Sequence, residues 1–197
     1  MNRTAHINRA TTETRISLNL NLDGTGSYQI STGIGFFDHM LTQISVHGLF
    51  DLELSAQGDL EVDPHHTVED CGLALGNAFR EALGEKAGIV RTGSATVPMD
   101  ESLSRVVIDF SGRPYSVIQT NWTSPMVGNL PTSLLEHFFE SFAVASGATL
   151  HLEVQYGKDN HHMAESLFKA FARACALAVR IDPRRGDSIP SSKGTLS

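Results

Sequence analysis

The feature that most constrains this chain is a motif that occurs twice. His65-His66-x-x-Glu69 returns as His161-His162-x-x-Glu165 at an offset of 96 residues, and Asp38-His39-Met40 is matched by Glu136-His137-Phe138 at an offset of 98. Two histidine motifs repeated in the same order and nearly the same register imply a duplicated unit, because independent accidents would not preserve both. The chain must therefore fold into two similar halves.

The apolar pattern agrees. Ile16, Leu18, Leu20 and Leu22 alternate with Arg15, Ser17, Asn19 and Asn21, which predicts a half-buried strand over 15–22. Asp23-Gly24-Thr25-Gly26 has the chemistry of a tight hairpin and leads to a second strand over 27–32. Phe37, Met40, Leu41 and Ile44 have helical spacing, 49–54 alternates again, and 64–83 predicts a helix with Glu69 and Asp70 near its positive end. The same order then repeats, with strands over 104–110 and 115–120 around a Ser111-Gly112-Arg113-Pro114 turn, a helix over 132–145, a strand over 149–156 and a long helix over 160–180. The expectation is an α+β fold of internally duplicated β-β-α-β-α half-domains, each a mostly antiparallel sheet packed against helices. The halves are residues 1–90 and 91–197, joined near 88–91 into one compact unit.

Composition limits the partner. Fifteen Lys and Arg against 22 Asp and Glu give a net charge of −7, which argues against nucleic acid or an anionic membrane and for a small molecule. No apolar run approaches the ~20 residues that cross a bilayer, and the N-terminal residues lack the apolar stretch of a signal peptide, so the expected compartment is the cytoplasm. Cys71 and Cys175 sit in apolar helical patterns and read as buried thiols.

The histidines carry the chemistry. On a helix, Glu69 shares a face with one histidine of its pair while the other points about 100° away, so neighbouring histidines can serve different metals. A solvated helix start explains one such pair; the second copy in register favours metal ligation. His39, His65, His66, His137, His161 and His162 with Glu69 and Glu165 divide evenly into two sites of three histidines and one glutamate. Four ligands on an octahedral ion leave two positions open for catalysis. His3Glu accommodates Zn, Fe, Co, Ni or Mn. Arg91, Arg113 and Ser191-Ser192-Lys193-Gly194 read either as ordinary surface or as parts of a phosphate clamp.

These segments together, NRATTET, LNLDGTG, GFFDHML, HHTVEDCGLALG, DFSGRPY, EHFFESFA, NHHMAESLFKAFARA and PSSKG, closely resemble the imidazoleglycerol-phosphate dehydratase family of histidine biosynthesis, over essentially the whole chain. The resemblance is to the single-function form, since too few residues precede NRATTET for a fused phosphatase. It implies two Mn2+ per catalytic site on the eight ligands above. It also implies a 24-mer whose sites are completed by neighbouring subunits, and phosphate contacts at Arg91, Arg113, Ser191, Ser192 and Lys193. By the same resemblance Gln43 and His47 contact substrate, and Glu13 reaches the substrate in a neighbour's site. Without the resemblance, Glu13 is a strand-edge acid and His47 a helix-end cation.

The implied reaction converts imidazole glycerol phosphate to imidazole acetol phosphate through a metal-bound imidazolate and a diazafulvene-like intermediate. A carboxylate such as Glu13 is the base, with Glu69 and Glu165 in the catalytic set. Two other readings of the residues stay open. One is a dinuclear metallohydrolase, which would release phosphate; the other is a non-catalytic metal-binding or assembly protein, which would not need the phosphate-type residues.

Overall fold

The computed structural model describes residues 3–196. Its first sheet contains β1 (Thr4–Ala10), β2 (Thr14–Asn21), β3 (Tyr28–Ser31) and β4 (Asp51–Gly58) in the spatial order β1-β2-β4-β3. Its second contains β5 (Thr92–Met99), β6 (Ser102–Asp109), β7 (Tyr115–Gln119) and β10 (Thr149–Tyr156) in the order β5-β6-β10-β7, and β8 (Met126–Val127) and β9 (Leu130–Pro131) form a small hairpin. Four helices complete the chain: α1 (Gly35–Gly48), α2 (His65–Leu83), α3 (Thr132–Ser146) and α4 (Asn160–Val179). The α+β duplication expected from the sequence is therefore the observed architecture, with mixed sheets packed on helices.

Two details differ from the sequence reading. The hairpins expected at Asp23–Gly26 and at Ser111–Pro114 do not pair their flanking strands; β3 runs parallel to β4, and β7 runs parallel to β10. Asp51 explains the first case. Its carboxylate accepts the backbone N–H groups of Thr25 and Ser27, so the turn closes onto the start of β4, which then lies between β2 and β3. Each half also opens with a strand that the apolar pattern does not announce. In β5 the reason is close approach of α4, where a side chain on Gly93 would stand 2.0 Å from the Ala174 carbonyl oxygen, so small residues replace apolar ones. In β1 only Ala5 is fully buried, which leaves too little apolar alternation to read.

Each sheet buries one face against helices. Ile16, Leu18 and Leu20 of β2 face inward while Arg15, Ser17 and Asn19 face solvent. The halves meet through helices, α2 packing on α3 and α1 on α4. Gly72 and Gly76 make the first of these contacts possible, because a Cβ at either would come within 2.7 or 2.6 Å of the Phe138 or Phe142 carbonyl oxygen. The core between is aromatic. Phe37 meets Phe138 edge-on at 5.4 Å, and Phe138, Phe139, Phe168 and Phe171 continue the cluster, each burial contributing roughly 1.5–3 kcal/mol. Cys71 and Cys175 are free and fully buried, and burial pushes both thiols up. No helix among the described residues is long and apolar enough to cross a membrane.

Candidate functional site

The helix contacts between halves bring the histidine motifs together in a crossed arrangement. On α1 and α4, His39 Nε2 and His161 Nε2 lie 3.1 and 3.2 Å from the same oxygen, Glu165 Oε2. On α2 and α3, His65 Nε2 and His137 Nε2 lie 3.6 and 3.5 Å from Glu69 Oε2. In each triad the ligand-type atoms all fall within 4.8 Å of one another. Each triad takes its lone histidine from one half and its HHxxE partners from the other.

The two triads differ in electrostatics. Lys169, one turn beyond Glu165, places Nζ 2.6 Å from Glu165 Oε1. Burial pushes the Glu165 carboxyl up, but the Lys169 ammonium and the His39 ring outweigh it and hold it at about 2, so it stays ionised. Glu69 has no such lysine, since Leu73 occupies the matching place. In the Glu69 triad, His137 Nε2 is buried and has no hydrogen-bond partner among the described residues.

The second histidine of each pair turns away, as helical geometry requires. His66 Nδ1 lies 3.1 Å from Asp59 Oδ2 and 3.9 Å from Glu13 Oε2, and His162 Nδ1 lies 2.7 Å from Glu101 Oε2. The Asp59 carboxylate raises the His66 pKa, and Glu101 raises that of His162. Glu101 is held well below the usual carboxylate range by the His162 hydrogen bond and by the Asp159 and Lys158 N–H groups. Neither Asp59 nor Glu101 lies within the repeated histidine motifs. A signal existed for Glu101: it precedes β6 as Glu13 precedes β2, at an offset of 88.

Gln43 is buried one turn beyond His39, its Nε2 3.4 Å from His39 Nδ1 and donating to the His39 carbonyl. His47 stands in the last turn of α1, where partial burial and the nearby Lys169 and Arg173 charges lower its pKa.

Arg91 holds a left-handed φ of 79° and binds Asp109 through Nε and Nη2 at 2.6 and 2.8 Å. Its Nη1 donates to the Pro190 carbonyl at 2.8 Å, which seats Ser191 beside it. The backbone N–H of Lys193 in turn donates to Ser191 Oγ, while Ser192 and Lys193 remain exposed. Arg113 is exposed on its turn, and its guanidinium makes no hydrogen bond among the described residues. The structure thus joins Arg91 to the C-terminal segment, while the Arg113 and Lys193 side chains make no hydrogen bond or ion pair among the described residues.

Comparison with known proteins gives the relatives this chain is similar to. The sequence profile of the family described as imidazoleglycerol-phosphate dehydratase matches residues 32–175. The chain is 57% identical over 196 residues to the imidazoleglycerol-phosphate dehydratase of Zymomonas mobilis, covering 100% of both chains, and 55% identical to that of Erythrobacter litoralis, covering 98% of both. Among solved structures, the Staphylococcus aureus enzyme superposes with a TM-score of 0.83 at 35% identity over 91% of this chain and 99% of that one. The Pyrococcus furiosus enzyme superposes with a TM-score of 0.84 at 33% identity over 96% and 100%.

Proposed function

The chain belongs to the imidazoleglycerol-phosphate dehydratase family, and on that premise we propose that it dehydrates imidazole glycerol phosphate with the help of two manganese ions per catalytic site. It is an enzyme, a hydro-lyase of histidine biosynthesis. The metal reading rests on one observation above the others. His137 Nε2 is buried without a hydrogen-bond partner, beside His65 and 3.5 Å from Glu69 Oε2, and the Glu165 triad repeats the same three atom types. A buried unpaired donor or acceptor costs about 1–3 kcal/mol. Two imidazoles and a carboxylate converging on one point fit a divalent cation, which removes that cost.

His66 and His162 supply the remaining ligands in this reading. Each has Nδ1 against a carboxylate, which fixes the ring, and among the described residues Nε2 makes no hydrogen bond, His162 Nε2 coming no nearer than 3.8 Å to Asp100 Oδ2, the arrangement by which an outer carboxylate orients a metal-binding histidine. Neither ring joins the triads of its own chain, and in this reading both would ligate across to neighbouring copies in the 24-mer that the family resemblance implies.

The ions, when bound, supply charge that keeps the substrate imidazole deprotonated and favours loss of the hydroxyl on the adjacent carbon. The chain's own groups do the rest. Glu69 and Glu165 complete the ligand shells, and the ionised Glu165 presents Oε2 to the two histidines while Lys169 occupies Oε1. Glu13 takes the proton from carbon in a neighbour's site. Arg91, Arg113, Ser191, Ser192 and Lys193 hold the phosphate, with Gln43 and His47 contacting the substrate. As a member of a family of biosynthetic enzymes, the protein is placed in the cytoplasm in this reading.

The test is a product assay on manganese-loaded protein with imidazole glycerol phosphate. Formation of the ketone without phosphate release is the expected result. Release of phosphate instead would identify a metallohydrolase, and no turnover with metal still bound would leave a binding protein.

A further inference from the structure

We propose that Asp70 is a positioning residue for Glu13, fixing the turn that carries it to the helix that carries His65, His66 and Glu69. The proposal rests on the reading of Glu13 as the base. Asp70 is buried on α2, its side chain 9% exposed, and its two oxygens have separate partners. Oδ1 accepts from Arg9 Nη2 at 2.7 Å, and Oδ2 accepts from the Thr14 hydroxyl. Arg9 and Thr14 flank the turn that holds Glu13.

The turn itself is internally tied. Thr11 Oγ1 accepts the backbone N–H groups of Glu13 and Thr14 at 3.1 and 2.9 Å, and the Thr11 N–H donates to the Thr14 carbonyl at 2.9 Å. Holding its two ends therefore holds Glu13. The Glu13 carboxylate then stands 3.9 Å from His66 Nδ1, one helical turn from Asp70.

Stability alone does not account for this pair. The pair is only part-buried, the Arg9 side chain being 36% exposed, so its ionic contribution is about 0–1 kcal/mol, and Arg9 Nε is left buried without a partner among the described residues. What the pair does provide is geometry. The duplicated half offers a comparison: Ser166 occupies the matching place on α4 and meets Ser104 Oγ at 2.7 Å, with no charge and no arginine. The matching turn is tied to α4 through Glu101 itself and His162, so among the described residues only the turn bearing Glu13 is held at both flanks by a separate helix carboxylate.

The experiment uses manganese-loaded protein and imidazole glycerol phosphate, with kcat, KM and metal content measured for Asp70→Asn, Thr14→Val, Thr14→Ser and Glu13→Gln. Displacing a reacting group by about 1 Å costs up to ~100-fold, so Asp70→Asn and Thr14→Val should lower kcat by ~10–100-fold. KM and metal content should stay near wild type. Thr14→Ser, which keeps the hydroxyl, should restore kcat. In a Glu13→Gln background, Asp70→Asn should lower kcat no further, because the group it positions is already gone. A wild-type kcat in Thr14→Val, or an undiminished further loss in the Glu13→Gln background, would overturn the proposal. The underlying reading fails separately, through a Glu13→Gln protein with wild-type kcat. If Asp70→Asn does not fold, the Thr14 pair decides the question alone.

Discussion

Glu165 Oε2 accepts from His39 Nε2 at 3.1 Å across 126 residues of chain, and in the other direction His137 Nε2 comes to 3.5 Å from Glu69 Oε2 without a hydrogen bond. Neither half holds a triad of its own. The duplication therefore yields two sites only when α1 crosses to α4 and α3 to α2. The residues that set those crossings matter to the chemistry as much as the ligands do.

Gly72 and Gly76 are the clearest case. On helix propensity alone, Gly→Ala would stabilise α2 by about 1 kcal/mol. Here the added methyl meets backbone oxygens of α3 at 2.7 or 2.6 Å, so overpacking reverses the sign. Gly76→Ala should destabilise by ~1–3 kcal/mol, lowering Tm by several degrees. Thermal unfolding checks this, and metal content of the same variant should fall because His137 moves from His65 and Glu69.

Charge at the phosphate end separates three residues. Arg113→Ala and Lys193→Ala each remove a charge-assisted bond to the substrate, for an expected rise in KM of roughly 10-fold or more at normal metal content and normal Tm. Arg91→Ala should raise KM as well but also lower Tm, since it strands Asp109 and releases the Pro190 carbonyl. Steady-state kinetics paired with thermal unfolding distinguishes the two classes.

Metal-free and metal-loaded protein should respond oppositely to pH. Asp59 raises the pKa of His66 and Glu101 raises that of His162 above 6.5 in the metal-free chain. The stabilisation from these pairs is fully present below 6.5 and fades as pH rises through the raised values. Ions must displace those protons, so metal affinity should instead increase with pH over the same window. Glu101→Gln should move the onset of metal binding to lower pH while weakening binding at pH 8 by ~10–100-fold through loss of ring orientation. Metal titrations between pH 5.5 and 8.5 read both effects.

Much of the site was legible because duplication repeats in sequence what it repeats in space. Helical period places Glu69 and Glu165 each beside one histidine of its own pair, and the lone His39 and His137 stand out by register. What was hidden is contact between distant segments. No periodicity shows that His39 joins Glu165 instead of Glu69, and none shows that Asp59 lies beside His66. The β3 pairing is hidden for a similar reason: Asp23–Gly26 has hairpin chemistry, but Asp51 captures the backbone donors of Thr25 and Ser27, and the competing strand begins 25 residues beyond Gly26. β5 stayed hidden because Gly93 packs by having no side chain.

The most direct measurement is metal stoichiometry by equilibrium dialysis against manganese, with elemental analysis of wild type, His39→Ala and His137→Ala. Two shared triads per chain predict two ions bound per wild-type chain and about one in each variant, since removing one of few ligands empties its own site and spares the other. Manganese resonance spectra of the two variants should differ, because only the site retained in His137→Ala has Lys169 against its glutamate. A wild-type stoichiometry that survives both substitutions unchanged would contradict the account.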